Sequence, residues 1–166
     1  MAITLQESLR GLFYAPFYAA LARDAYAQEG VDVRFVSAPR PGDAATSVLG
    51  GVADVCWGGP MRVAQTYHQV PGCDLVSFAE VVTRDPFLLV GRTARPDFTL
   101  RDLVGPRVAT VSEVPTPWLC LQEDLRRAGI APDTLNRSAT GTMAENCAAL
   151  RRGDLDVVQV FEPFVS

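Results

Sequence analysis

Short apolar runs alternate with helix-patterned stretches along almost all of this 166-residue chain, and that alternation restricts the architectures open to it. Ile3-Thr4-Leu5 reads as an opening strand. Pro16 stands where a helix can begin, because the first helical N–H has no partner to lose, and Gly30 stops the helical run that continues through Gln28. Residues 31–36 alternate apolar and polar side chains with the period of two of a half-buried strand. After the Pro39-Arg40-Pro41-Gly42 loop, Asp43 is placed to cap a short helix ending near Gly50-Gly51.

Residues 52–57 read as the next strand, which Gly58-Gly59-Pro60 breaks before a further helix. Residues 75–82 and 87–90 read as two more strands, separated by Arg84-Asp85-Pro86. Thr99 and Asp102 have the spacing of a capping box, and residues 107–111 form a strand. Beyond Pro117, the residues Trp118, Leu121, Leu125 and Ala128 recur at helical spacing up to Gly129. Met143, Cys147 and Leu150 mark the last helix, and residues 157–161 the last strand. Alternating elements of this length predict an α/β fold with a mostly parallel sheet covered by helices.

In such sheets ligands settle beyond the carboxyl ends of the strands, so the residues just after each strand carry the functional interest. Four of these junctions pair an aromatic ring with proline: Gly11 to Phe17, Trp57-Gly58-Gly59-Pro60, Ser112 to Trp118, and Phe161-Glu162-Pro163. Rings offer stacking area and helix starts offer free N–H donors, a combination suited to a small ligand with a flat or polar face. Any one such junction is ordinarily structural, since proline starts helices and aromatics plug cores; four together point to a pocket. The pattern G-x-x-D-V also occurs twice, at Gly51-Val52-Ala53-Asp54-Val55 and at Gly153-Asp154-Leu155-Asp156-Val157, each time between a helix and a short strand. The repeat fits a plan of two successive α/β units with one corresponding turn in each.

Composition excludes several alternatives. The formal charge is −4, none of the 15 basic residues is lysine, and the arginines form no stripe, so a nucleic-acid partner is not expected. No apolar run approaches the roughly 18 residues of a membrane span. The first residues lack a basic segment followed by an apolar one, so the chain as written is expected to be cytoplasmic. The four cysteines contain no C-x-x-C pair, and His68 is the one histidine; buried thiols are expected, with no metal site and no cofactor. A nucleophile elbow, a Walker A loop and a dinucleotide-binding glycine pattern are all absent, and Asp154 and Asp156 read as solvated strand flanks rather than an acid–base pair. No catalytic residues are assigned.

The stretches Gly11-Leu12-Phe13-Tyr14-Ala15-Pro16, Gln28-Glu29-Gly30-Val31-Asp32-Val33 and Gly51-Val52-Ala53-Asp54-Val55 with Gly58-Gly59-Pro60 resemble the solute-binding proteins of ABC importers. So do residues 100–109 and Arg152-Gly153-Asp154-Leu155-Asp156-Val157 with Glu162-Pro163. The resemblance is to the sulfonate, taurine, nitrate and thiamine-pyrimidine-precursor receptors and to the NMT1/THI5-like domain, in order along the whole chain. It implies a type II periplasmic-binding-protein fold: two α/β lobes with a central cleft, lobe one over residues 1–88 and an incomplete lobe two over residues 89–166. By position, the ligand-binding residues would be Tyr14, Trp57, Gly58 and Gly59 from the first lobe, and Ser112, Thr116, Thr140, Gly141 and Glu162 from the second.

The implied ligand is pyrimidine-like or sulfonate-like. Glu113 and Glu162 favour a nitrogen-rich ring, while Arg62 or Arg84 would suit an oxyanion. The implied partner is an ABC permease and the implied compartment the periplasm; a cytoplasmic sensing module is the alternative. Relatives continue beyond the point matching Ser166, so the C-terminal part is expected to be missing, with self-association through the surface so exposed. Pyrimidine synthases of the same fold consume a pocket histidine and hold pyridoxal phosphate on a lysine. Gly58-Gly59-Pro60-Met61-Arg62 has neither residue, which argues against that chemistry.

Overall fold

The computed structural model describes residues 2–166. The chain divides into two compact units, Met1–Arg84 and Asp85–Ser166. Among the described residues, no helix is long and apolar enough to cross a membrane. The cysteines are free thiols, Cys147 buried and the other three half-buried.

The first unit runs β1 (Ile3–Glu7), a 3-10 turn at Leu12–Tyr14, α1 (Ala15–Ala22), α2 (Ala25–Gln28), β2 (Val33–Ser37), α3 (Asp43–Leu49), β3 (Val55–Trp57) and α4 (Pro60–Gln69). Its three strands are parallel in the order β2-β1-β3, with Leu5 opposite Phe35 on one side and Val55 on the other. The single helix expected through Gln28 is two, because Asp24 takes a left-handed conformation at φ 52°. Asp is one of the few side chains that tolerate this region. Asp43 is the first residue of α3 rather than its cap, and its carboxylate instead accepts from Arg40 Nε at 3.0 Å.

Residues 75–82 form no strand, contrary to their apolar pattern. Val76 and Phe78 are each 76% exposed. Among the described residues the outer edge of β3 is unpaired, so these residues stay out of the sheet although an edge is open to them.

The second unit runs β4 (Leu88–Gly91), a 3-10 turn at Leu100–Leu103, β5 (Arg107–Ala109), α5 (Thr116–Arg127), β6 (Asn136–Ser138), α6 (Met143–Arg152) and β7 (Val157–Val160). The sheet order is β4-β7-β5-β6, with β5 parallel to both β6 and β7, and β4 antiparallel on the far side of β7. Leu103, Val108, Leu125, Val158 and Val160 are fully buried at its centre. Thr99 and Asp102 form the expected capping box, the Thr99 N–H donating to Asp102 Oδ2 at 2.8 Å.

The repeated G-x-x-D-V motif has one structural job in both units. In the first, the Thr4 N–H donates to Asp54 Oδ2 at 2.7 Å, and the Asp54 N–H returns to the Thr4 carbonyl at 3.0 Å. In the second, the Arg107 N–H donates to Asp156 Oδ2 at 2.8 Å, and the Asp156 N–H returns to the Arg107 carbonyl at 2.9 Å. Each aspartate therefore locks the start of the unit's third parallel strand onto the start of its first. Since a slip of one residue would turn every side chain to the wrong face, the lock fixes which residues are buried. Asp156 is thus not the merely solvated flank expected: it also takes Arg107 Nε at 2.9 Å and Nη2 at 2.8 Å, while Asp154 pairs with Arg152 at 2.8 Å.

Hydrogen bonds from the Arg107 guanidinium, then from its backbone N–H, hold the Asp156 carboxyl well below the usual carboxylate range. A depressed folded-state pKa stabilises the fold above the unfolded-state value, and the contribution is lost as pH falls through the folded one. Asp156→Asn is therefore expected to be less stable than the parent in urea unfolding at neutral pH. The gap should stay constant above about pH 5 and narrow as the pH drops below about 4. A gap independent of pH would show that the carboxylate charge contributes nothing.

Candidate functional site

In the first unit the strand ends gather around Glu7, the last residue of β1, which lies opposite Ser37 on one side and Trp57 on the other. Glu7 is only 4% exposed, yet its carboxylate is fully engaged. The Ser37 hydroxyl donates to Oε1 at 2.6 Å, the Tyr18 hydroxyl to Oε2 at 3.0 Å and Arg10 Nη2 to Oε1 at 3.1 Å. Burial alone would raise its pKa, but these donors outweigh burial and hold the carboxyl below its ordinary value. Its position at the end of the opening strand was the legible signal; its three donors come from sites up to 30 residues away.

Trp57 and Tyr14 have a different place from the one expected. Trp57 is 5% exposed, stacked with Phe17 at 4.3 Å between centroids and with Phe35 at 5.5 Å, and met edge-on by Tyr18. An indole so enclosed is a core ring, with no free face to offer a ligand in this conformation. Tyr14 is 8% exposed beside it, and burial pushes its phenol up to about 12. Gly58 and Gly59 carry the chain from β3 into α4, and a Cβ at Gly58 would meet Ser8 Oγ at an ordinary 3.7 Å. Arg62 in α4 donates to Gln65, and His68 is exposed in the last turn of that helix.

In the second unit the structure brings Ser112, Glu113 and Gly141 together. The Ser112 hydroxyl donates to the Gly141 carbonyl at 3.0 Å, joining the loop after β5 to the loop after β6. Glu113 Oε1 accepts the Met143 N–H at 2.8 Å, placing a carboxylate on the start of α6, where the helix dipole favours negative charge. Thr142 and Glu145 close a capping box at the same helix start. Gly141 is required for close approach: a Cβ there would lie 2.5 Å from Asn146 Oδ1, whose own amide donates to the Gly141 carbonyl.

Thr140 stands beside Ser138, their hydroxyl oxygens 3.3 Å apart. Thr140 and Gly141 border an open polar depression of about 480 Å³ that runs along α6 to Arg152 and Asp154. Thr116 opens α5, and its hydroxyl is buried without a hydrogen-bond partner, as is Gln159 Oε1 on β7. Glu162 follows β7 and accepts from the Ser166 hydroxyl at 3.1 and 3.0 Å. Sequence reasoning missed a further group here: the Arg137 guanidinium lies 4.0 Å above the Trp118 ring and donates to Thr110 Oγ1 at 2.7 Å. Among the described residues, no cluster of three or more His, Cys, Asp and Glu side chains is placed to hold a metal ion.

Two α/β units, each winding parallel strands in the order second-first-third, make this the type II periplasmic-binding-protein fold. The chain belongs to the NMT1/THI5-like family, whose model matches residues 13–165. It is similar in structure to the periplasmic aliphatic sulphonate binding protein SsuA of Escherichia coli, at 19% identity and a TM-score of 0.62, over 98% of this chain and 55% of that one. It is also similar to PhnD1 of Prochlorococcus marinus, solved with methylphosphonate, at 14% identity and a TM-score of 0.66, over 97% and 64%. The ligand-binding component of an ABC-type import system from Staphylococcus aureus, solved with zinc, aligns at 16% identity and a TM-score of 0.69, over 99% and 55%. The chain thus spans between half and two-thirds of these relatives' lengths. No curated protein sequence matches it.

Gly141→Ala is expected to cost about 1–3 kcal/mol of stability, because the new methyl must displace the buried Asn146 amide. Urea unfolding of Gly141→Ala in the parent and in an Asn146→Ala background measures this. A penalty that persists undiminished without the Asn146 amide would contradict the stated cause.

Proposed function

We propose that the chain is the ligand-binding part of a solute-binding protein that delivers a small organic molecule, pyrimidine-like or sulfonate-like, to an ABC permease in the periplasm. The observation that carries this reading is the gathering of polar groups at the carboxyl ends of parallel strands in both units. Glu7, Ser37 and Arg10 meet there in the first, and Ser112, Glu113, Thr116 and Gly141 lie there in the second. Strand ends of open α/β sheets are where ligands of this size bind. The family match and the likeness to binding components of importers support the same role.

Binding rather than catalysis is favoured by the condition of the polar groups. Glu7 is saturated by three donors, and His68, the one histidine, is exposed at the far end of α4. Neither is arranged with a neighbouring nucleophile as a general base. At the strand ends of the first unit Gly58 and Gly59 supply close backbone approach; at those of the second, Ser112 and Thr116 supply hydroxyls, and Thr140 and Gly141 close backbone approach. Glu162 accepts from donor groups of the ligand. Trp57 and Tyr14 act behind the surface, as the packed floor on which the β1 and β3 ends rest.

A thermal-shift screen of the full chain against aminopyrimidines, alkylsulfonates and alkylphosphonates tests the reading. A true ligand at a hundred times its dissociation constant adds about 2.7 kcal/mol of stability, so one chemical class is expected to raise Tm clearly. Thr116→Val and Ser112→Ala should each reduce that rise while leaving the unliganded Tm near its parent value. A cooperatively unfolding chain that no class stabilises would overturn the proposal.

A further inference from the structure

We infer that the outer edge of β3 and residues 75–82 of the same unit form a self-association surface, on which two copies of this chain pair, each laying its residues 75–82 antiparallel along the other's β3. The inference goes beyond the binding function and does not depend on it. It starts from two sets of backbone groups left unpaired in one unit. Among the described residues, β3 pairs with β1 on its inner side and with nothing on its outer side. Residues 75–82 exchange no backbone–backbone hydrogen bond among the described residues; the Leu75 carbonyl accepts instead from the Tyr67 hydroxyl at 2.8 Å.

The second unit shows what such an edge looks like when it is filled. Asp156 locks β7 onto β5 as Asp54 locks β3 onto β1, so β7 and β3 are corresponding strands. The outer edge of β7 takes β4 antiparallel, with Leu88 opposite Val160. At β3 the corresponding place is open. It is also unguarded. Open sheet edges are ordinarily blunted by charged side chains or proline. The other edge strand of that sheet, β2, carries Arg34, whereas Val55-Cys56-Trp57 contains neither.

The strand that fits this edge is short, apolar and free of other pairing, and the chain itself supplies one. Leu75-Val76-Ser77-Phe78-Ala79-Glu80-Val81-Val82 has the composition of a strand, with Glu80 its one charge. Val76, Phe78 and Val81 are exposed, as are Tyr67 and Val70 at the end of α4, to which Leu75 is tied. Within one copy the segment is held at both ends, at Leu75 by Tyr67 and at Val82 by packing against the cluster of Leu5, Tyr14 and Trp57, and it stays out of the sheet. A second copy satisfies both unpaired sets at once and covers the exposed side chains. Since each copy offers one edge and one segment, the contact is reciprocal about a twofold axis and closes at two copies.

Sedimentation equilibrium of the full chain over a range of concentrations, paired with hydrogen exchange read by mass spectrometry, tests the inference. The parent is expected to sediment with twice the mass of one chain at high concentration, and the amides of residues 55–57 and 75–82 to exchange more slowly there than in dilute solution. Phe78→Asp and Val76→Asp place a carboxylate in the contact and should weaken the dimer about ten- to a hundredfold, with Tm near the monomer's, because both side chains are exposed in a single copy. Val104→Asp, at an exposed position of the second unit, should leave the dimer unchanged. The exchange measurement on the parent needs no variant and decides the matter if the aspartate variants fail to fold. A chain that stays monomeric at every concentration would overturn the inference. So would a dimer in which residues 75–82 exchange as fast as in dilute solution, or one that Val104→Asp dissociates and Phe78→Asp does not.

Discussion

Two aspartates set the register on which everything else in this chain rests. Asp54 and Asp156 each occupy the residue before a third parallel strand, and each receives the backbone N–H at the start of the first strand while returning its own. Parallel strands have no hairpin turn to align them, so an explicit lock at one end is a direct way to choose the pairing. In the first unit the lock places Leu5 inward and Glu7 at the strand end; in the second it places Val108 inward, with Thr110 and Val111 just beyond β5. The polar strand ends are a consequence of that choice of register.

From the register follows the division of labour at the strand ends. Aromatic rings fill the space beneath the first unit's strand ends, with Trp57 stacked among Phe17 and Phe35. The rigid floor leaves Glu7 buried but saturated, so it organises the loops through Ser37, Tyr18 and Arg10 without titrating near neutrality. In the second unit the loops after β5 and β6 are tied by Ser112 and Gly141, and the α6 start is occupied by Glu113. The α5 side is different in character, with the Arg137 guanidinium stacked on Trp118 and the Thr116 hydroxyl unpartnered. The surface therefore has a carboxylate side and a cationic side.

The order of strands and helices was legible because most elements carry their own apolar period and stops, such as Pro60 opening α4 and Gly129 closing the region of α5. Strand β6 was not legible: Asn136, Arg137 and Ser138 are polar and exposed, and only the edge of β5 makes them a strand. The reverse holds at residues 75–82, where an apolar pattern forms no strand although the outer edge of β3 is unpaired among the described residues. The repeat of G-x-x-D-V was visible, but its meaning lay in bonds to residues 50 and 49 positions away. Sequence placed Ser112, Thr116, Thr140, Gly141 and Glu162 after strands, where they are found. It gave Trp57 an open face because an aromatic at a strand end reads alike whether it covers a ligand or the core, and only Phe17 and Phe35 decide between them.

Hydrogen exchange measured by mass spectrometry, on the full chain with and without a compound that raises its Tm, tests the central claim most directly: that the carboxyl ends of the parallel strands form the recognition surface. The account predicts that added protection concentrates in the segments following β3, β5, β6 and β7, at residues 58–62, 110–118, 139–145 and 161–164, while the opposite strand ends near Asp54 and Asp156 keep their exchange rates. Protection centred on the opposite ends of the strands, with none in these four segments, would contradict it.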